Sequence, residues 1–282
     1  MILGKYQIQA IVTSHFGLDG GAMFGVIPKN IWSKRISSDE ENRISLVTRS
    51  RVLFNENKVI LVDTGNGDKW SNKMAKILNI QASNINIVNA LAKYSLSPSE
   101  VTDVICTHLH FDHSGGNTRL EGDQLVPMFP NATYHIHQDN WTWANSATEK
   151  DQGSYRKENW EVIAQNDMFN IIEGDDPYCC DDIKLILTYG HTPGQIHPLI
   201  SFENETIFFG GDLIPTKHHF HLPCIMAYDN EPIKSLEEKK RILSEASEKD
   251  WIIVLSHDPN SEAVRINSDG KKFNIKEKII ID

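Results

Sequence analysis

Cysteine is scarce in this chain of 282 residues, and none of the four, Cys106, Cys179, Cys180 and Cys224, is set two residues from another. That excludes a disulfide framework, a zinc knuckle and a thioredoxin-type motif; all four read as reduced thiols, the adjacent Cys179-Cys180 pair as an ordinary loop pair. Long apolar runs are also missing. Stretches such as Trp251 to Leu255 fall far short of the roughly 20 residues that span a bilayer. Positive charge is in deficit, with 28 Lys and Arg against 38 Asp and Glu and a formal charge of −10. Nucleic acid and an anionic membrane are therefore disfavoured as partners. The basic run Lys239-Lys240-Arg241 does not change this, because Glu237, Glu238 and Glu245 surround it as on a solvated helix face. No basic, then apolar, leader opens the chain, so a cytoplasmic protein is expected unless a leader was removed. Internal repeats and low-complexity tracts are absent.

What is present is a recurring unit of apolar strand followed by polar loop. Val59 to Val62 runs into Asp63-Thr64-Gly65-Asn66-Gly67, a cluster of turn formers. Trp70, Met74, Ile77 and Leu78 then repeat at helical spacing, as do Ile87, Val88, Leu91 and Tyr94, and Ser97-Pro98 closes the second helix. Further strands end at Thr107-His108, Gly190-His191, Gly210-Gly211-Asp212 and Ser256-His257. Loops at strand ends are where a rigid scaffold presents chemistry, so four such loops can open onto one edge of a sheet system. The stretch 121–182, rich in Trp141, Trp143, Tyr155 and Trp160, reads as helices inserted between two strand-bearing halves. The whole predicts an α/β layered fold.

The segment from Thr107 to Asn117 places His108, His110, Asp112 and His113 within six residues. Burying four ionisable groups together is costly by desolvation, and a divalent cation is the economical compensation. Alternate residues of an extended turn share a face, so His108 and His110 point one way while Asp112 and His113 continue into a tight turn. One loop can thus feed two metals, each incomplete without ligands from elsewhere. His191, Asp212 and His257, single residues at later strand ends, complete a set of five His and two Asp.

The HxHxDH segment at positions 108, 110, 112 and 113 resembles that of the metallo-β-lactamase superfamily. Gly190-His191-Thr192-Pro193-Gly194, Gly210-Gly211-Asp212, Ser256-His257-Asp258 and Asp63-Thr64-Gly65 resemble its later loops in order. The resemblance implies an αβ/βα four-layer sandwich over a single domain, 1–282, with a metal-binding core from about residue 40 to about 260. It also implies that His108, His110 and His191 hold one metal and Asp112, His113 and His257 the other, that Asp212 bridges them, and that Asp63 orients a ligand. The cofactors expected are two divalent ions, zinc first, with manganese, iron or cobalt as alternatives. Such a pair lowers the pKa of a bridging water towards neutrality, and the resulting hydroxide attacks a carbonyl, with Asp112 or Asp212 moving the proton.

Asp19 to Lys29 resembles a segment of the branch containing N-acyl homoserine lactonases and methyl parathion hydrolases, where it sets apolar side chains, here Met23 and Phe24, near the metals. Gly20-Gly21 is equally a signal for a tight hairpin between the first strands. Asp212 to Thr216 and Met226 to Asp229 also resemble the lactonases, but Ile214-Pro215 stands where the best-known ones carry a tyrosine. Tyr228, His218, His219 and His221 are the candidates to replace that phenol, the three histidines reading otherwise as a solvated loop. N-acyl homoserine lactone opening is the activity expected. Phosphotriester hydrolysis, with Phe16, Phe24 and Trp141 as pocket aromatics, thioester hydrolysis, and a catalytically idle metal-binding protein are the alternatives. A homodimer is left open.

Overall fold

The computed structural model describes residues 1–80, 85–180 and 183–281. A first sheet contains β1 (Ile2–Leu3), β2 (Tyr6–Asp19), β3 (Arg43–Phe54), β4 (Val59–Val62) and β5 (Asp103–Ile105). A separate hairpin of β6 (Thr118–Glu121) and β7 (Gln124–Pro127) follows, and β8 (Thr133–His137) and β9 (Phe169–Ile172) complete the sheet in the order β1-β2-β3-β4-β5-β8-β9. Pairing is antiparallel up to β4 and parallel from β4 to β9. The second sheet runs in chain order through β10 (Tyr178–Cys179), β11 (Ile183–Thr188), β12 (Gln195–Phe202), β13 (Glu205–Phe209), β14 (Ile252–Val254), β15 (Ala263–Ser268) and β16 (Phe273–Ile279). Only β13 and β14 pair in parallel there.

Strands buried on both faces explain the continuous apolar runs. Ile60 and Val62 enter the core between the sheets, together with Ile105, Ile207, Phe209, Ile252 and Val254. Leu61 and Val104 face the opposite way, into a core on the outer side of the first sheet. Phe208 and Ile253 do the same on the outer side of the second.

Among the described residues eight α-helical segments accompany these sheets: α1 (Gly20–Phe24), α2 (Lys29–Trp32), α3 (Asn72–Ile77), α4 (Ile87–Ala92), α5 (Phe111–Ser114), α6 (Gln138–Asn145), α7 (Glu161–Gln165) and α8 (Pro232–Glu248). Parallel neighbours need a crossover, and α3 and α4 lie in the one between β4 and β5 while α8 forms the one between β13 and β14. Helix α8 starts on Pro232 and buries Ile242, Leu243 and Ala246 against the second sheet, whereas α4 and α6 place Leu91 and Ala144 on the first. Two sheets face to face with helices outside make the αβ/βα sandwich that the sequence implied.

Three local expectations are corrected. Gly20-Gly21 does not make a tight hairpin: β2 and β3 do pair, but the chain between them forms α1 and α2, because the Asp19 carboxylate caps α1 by accepting from the Ala22 N–H at 2.8 Å. The stretch 121–182 is not purely helical. It supplies β7, β8, β9 and β10 beside α6 and α7, with Asp182 lying outside the described residues. His219 is not solvated but buried, its ring stacked on Phe24 and its Nε2 2.9 Å from the Met23 carbonyl. His218 is partly buried and His221 exposed.

Candidate metal centre

The four chemistry-bearing loops leave the C-terminal ends of β5 in the first sheet and of β11, β13 and β14 in the second, and meet at one edge of the sandwich. Their side chains form two groups of four donors, each compact enough to hold a cation: His108, His110, His191 and Asp212 in one, Asp112, His113, Asp212 and His257 in the other. Asp212 belongs to both. Its Oδ2 lies 3.2 Å from His191 Nε2, and its Oδ1 lies 3.0 Å from His113 Nε2 and 2.9 Å from His257 Nε2.

In the first group His110 Nδ1 is 3.0 Å from His108 Nε2 and 3.1 Å from His191 Nε2. In the second, His113 Nε2 and His257 Nε2 are 3.1 Å apart, and Asp112 Oδ2 stands 3.6 Å from His257 Nε2. A neutral imidazole has one N–H, so ring nitrogens crowded this way cannot all be satisfied by one another. His110 Nε2 is meanwhile buried without a partner. Imidazole nitrogens and carboxylate oxygens converging at this spacing are the donor set of a zinc-class divalent cation.

The electrostatics agree. Burial, reinforced by His113 and His110, holds His108 well below the ordinary histidine range, and burial and His191 do the same to His110, leaving both rings neutral. Burial also pulls His113 down, but Asp212, Asp63 and Asp112 outweigh it and raise the ring well above that range. Burial would raise Asp212, yet His113, His257 and His191 hold it far below the carboxylate range. His108 and His110 thus offer neutral nitrogens and Asp212 an anionic carboxylate common to both groups, while a cation at His113 would displace the proton that ring holds.

Partners behind the rings set which nitrogen faces inward. Asp63 Oδ2 lies 2.8 Å from His113 Nδ1, and the same carboxylate accepts from the Thr107 N–H and hydroxyl. Thr107 Oγ1 in turn meets His108 Nδ1 at 3.1 Å. His257 Nδ1 reaches the Val47 carbonyl, and Asp229 Oδ1 holds His191 Nδ1, both at 2.9 Å. The Asp63 loop docks on the histidine loop by backbone-to-backbone contact: a Cβ on Gly115 would come within 2.2 Å of the Asn66 carbonyl oxygen, so glycine is required there. Asp63→Ala and Asp229→Ala should each lower metal affinity by about 10–100-fold, measured by competition with a chromophoric chelator. Unchanged affinity in both variants would contradict this orienting role.

Asp229 carries no sequence signal for that task, standing 38 residues from His191. Nor does Lys150, whose Nζ donates to the Tyr228 and Asp229 carbonyls at 2.9 and 3.0 Å and ties the segment before Tyr155 to this loop. Tyr155 was read only as an aromatic. Its ring packs on His110 at 4.5 Å and its hydroxyl meets Thr192 Oγ1 at 2.5 Å, bracing the histidine loops from outside.

A cavity opens over the donors, lined by Leu18, Met23 and Met226, by Phe111 and Tyr228, and by Asp112. Of the residues expected to contact substrate, Met23 and Tyr228 line this cavity and Phe24 does not: it is buried, stacked between Trp32 and His219. The other aromatics considered for a pocket also lie elsewhere. Phe16 packs edge-on against His257, and Trp141 packs against Phe169 beside the first sheet.

The sequence profile of the Metallo-beta-lactamase superfamily matches residues 46–257, and the chain belongs to that family of hydrolases. An N-acyl homoserine lactonase of a Bacillus species is 28% identical over 222 residues, covering 75% of this chain and 81% of its relative. Lactonase AttM of Agrobacterium fabrum is 23% identical over 186 residues, 62% of this chain and 65% of that protein. Among solved structures, a "probable metal-dependent hydrolase" from Staphylococcus aureus superposes with a TM-score of 0.90 at 28% identity, over 99% of this chain and 98% of that one. The dizinc quorum-quenching lactonase AidC shares the fold, with a TM-score of 0.79 at 17% identity over 100% and 97% of the two chains. No helix among the described residues is long and apolar enough to cross a membrane.

Proposed function

We propose that this hydrolase carries a binuclear centre and opens the ring of N-acyl homoserine lactones. The observation that carries the reading is Asp212, which directs one carboxylate oxygen into each donor group. Zinc, or manganese, iron or cobalt in its place, would be held by His108, His110 and His191 on one side and by Asp112, His113 and His257 on the other. Two cations there supply a water activated near neutral pH and a Lewis acid for the carbonyl.

The chain's own groups do the rest. Asp112, which lines the cavity and is not shared between the two groups, takes the proton released on attack and delivers it to the ring oxygen as it leaves. The Tyr228 hydroxyl lies on the same wall, where it donates to the substrate oxygen and replaces the phenol missing at Ile214-Pro215. Leu18, Met23 and Met226 bound the acyl chain. Leu18 and Tyr228 also border an adjoining groove along Ile77 and Leu78, rimmed by Asp19, Glu41, Arg43 and Lys76, where the end of a longer chain would lie. The mostly aliphatic wall favours an acyl lactone over an aryl phosphotriester.

Purified protein should release acid from both short- and long-chain N-acyl homoserine lactones and stop when chelated. Absence of lactone opening by metal-loaded protein would overturn the substrate assignment and turn attention to phosphotriesters and thioesters.

A further inference from the structure

A second cluster of metal-binding side chains lies outside the centre just described. His135, Cys179 and Cys180 bring one ring nitrogen and two thiols within 4.8 Å of one another. Asp103 joins them, its Oδ1 2.9 Å from His135 Nε2 and 3.3 Å from Cys180 Sγ. Cys180 Sγ is 3.8 Å from the same nitrogen and 3.1 Å from Cys179 Sγ. His135, Cys179 and Asp103 are buried, and Cys180 is partly exposed.

Three features set this cluster apart from a chance meeting of polar residues. Neighbouring side chains of an extended strand point to opposite faces, so two adjacent cysteines reach one point only if the backbone turns between them. Cys180 makes that turn with φ of 50°, a left-handed conformation that a residue with a Cβ adopts at a cost. The second feature is the set of outer partners. Asn170 Nδ2 lies 3.0 Å from His135 Nδ1; with that amide reversed, its oxygen would accept from Nδ1–H, so that loss of the Nε2 proton leaves Nε2 to ligate. Thr102 donates to Asp103 Oδ2 at 2.7 Å, leaving Oδ1 for the cluster. The third is placement. Asp103 opens β5 and His135 sits on β8, both of the first sheet, whereas Cys179 ends β10 at the edge of the second. The catalytic histidines follow the other end of β5.

We propose that Cys179, Cys180, His135 and Asp103 bind one zinc-class cation, a site separate from the hydrolytic centre that clips the edge strand of the second sheet to β5 and β8 of the first. Two sulfurs, one nitrogen and one carboxylate oxygen are a closed tetrahedral set, and thiolates select zinc over magnesium or calcium. Sulfur atoms on a tetrahedral zinc stand about 3.7 Å apart, so the two thiols part slightly on binding. Binding releases both thiol protons and the proton on Nε2 to solvent; no electron is transferred.

Cobalt(II) separates this site from the other, because the hydrolytic centre contains no cysteine and only thiolate ligands give the sulfur-to-cobalt charge-transfer absorption in the near ultraviolet. Reduced, chelator-stripped protein titrated with cobalt should develop that band. Cys179→Ser and Cys180→Ser should each lose it and bind one cobalt fewer per chain, and added zinc should raise the melting temperature of the parent chain more than that of either variant. Asp103→Asn, which keeps both thiols and the side chain's shape but only one of its two acceptor oxygens, should retain a band of weaker affinity. A cobalt-loaded parent chain without the band overturns the proposal. So does a band that persists in the Cys179→Ser, Cys180→Ser double variant, which would place the thiolate at Cys106 or Cys224. Recovery of the freshly purified chain lighter by two hydrogens, with Cys179 joined to Cys180, would equally replace the metal site by a disulfide.

Discussion

Asp212→Ala is expected to lower lactone turnover on the order of a thousand-fold or more, while the far-ultraviolet circular dichroism stays that of the parent chain. Each donor group loses its only anionic member in one case and one of two in the other, since Asp212 is common to both and Asp112 serves the second alone. The remaining imidazoles, His108 and His110 neutral by burial, then have no negative charge to balance a cation in the first group. Water activation near pH 7 depends on those cations, so its loss exceeds the 10–100-fold effects expected for Asp63 and Asp229 behind the ligands. Metal content measured beside turnover checks the cause: both should fall together. Turnover near that of the parent chain with metal lost would show that the chemistry runs without this centre.

Phe208→Ala should do the reverse, removing stability and sparing the metal donors. Phe208 is fully buried under α8, stacked on Trp251 at 5.9 Å and on His197 at 5.3 Å. Truncating a buried phenylalanine costs about 3–5 kcal/mol through lost transfer energy and the cavity left behind. For a chain of this size that is a drop in melting temperature of roughly 5–10 °C. Its neighbours Ile207 and Phe209 face the other way, into the core between the sheets, so β13 keeps half of its anchorage and still delivers Asp212. Metal binding below the transition should be retained. A smaller loss, under about 1 kcal/mol, would mean that the layer under α8 collapses to fill the space.

Set beside each other, these two substitutions separate what could be read in the chain from what could not. The donors were legible because ligation fixes both residue type and spacing, and the strands leading to them were legible because β4, β13 and β14 are buried on both faces and read as apolar runs. The segment 121–182 was harder. Its strands β8 and β9 carry buried His135 and exposed Asn170 among apolar residues, and its tryptophans suggested helices. At Gly20-Gly21 the glycine pair signalled a hairpin, but in the structure the Asp19 carboxylate caps a short helix there. Asp229 and Lys150 act through distant contacts that no local pattern encodes. Phe24 fell in a segment resembling a substrate wall, yet only its neighbour Met23 reaches the cavity.

The central claim is that Asp212 joins two cations, and anomalous scattering from a crystal of the zinc-loaded protein, collected on either side of the zinc absorption edge, tests it most directly. The account predicts one peak beside each carboxylate oxygen of Asp212, the first among His108, His110 and His191 and the second among Asp112, His113 and His257. A single peak, or two peaks of which neither touches Asp212, would contradict it.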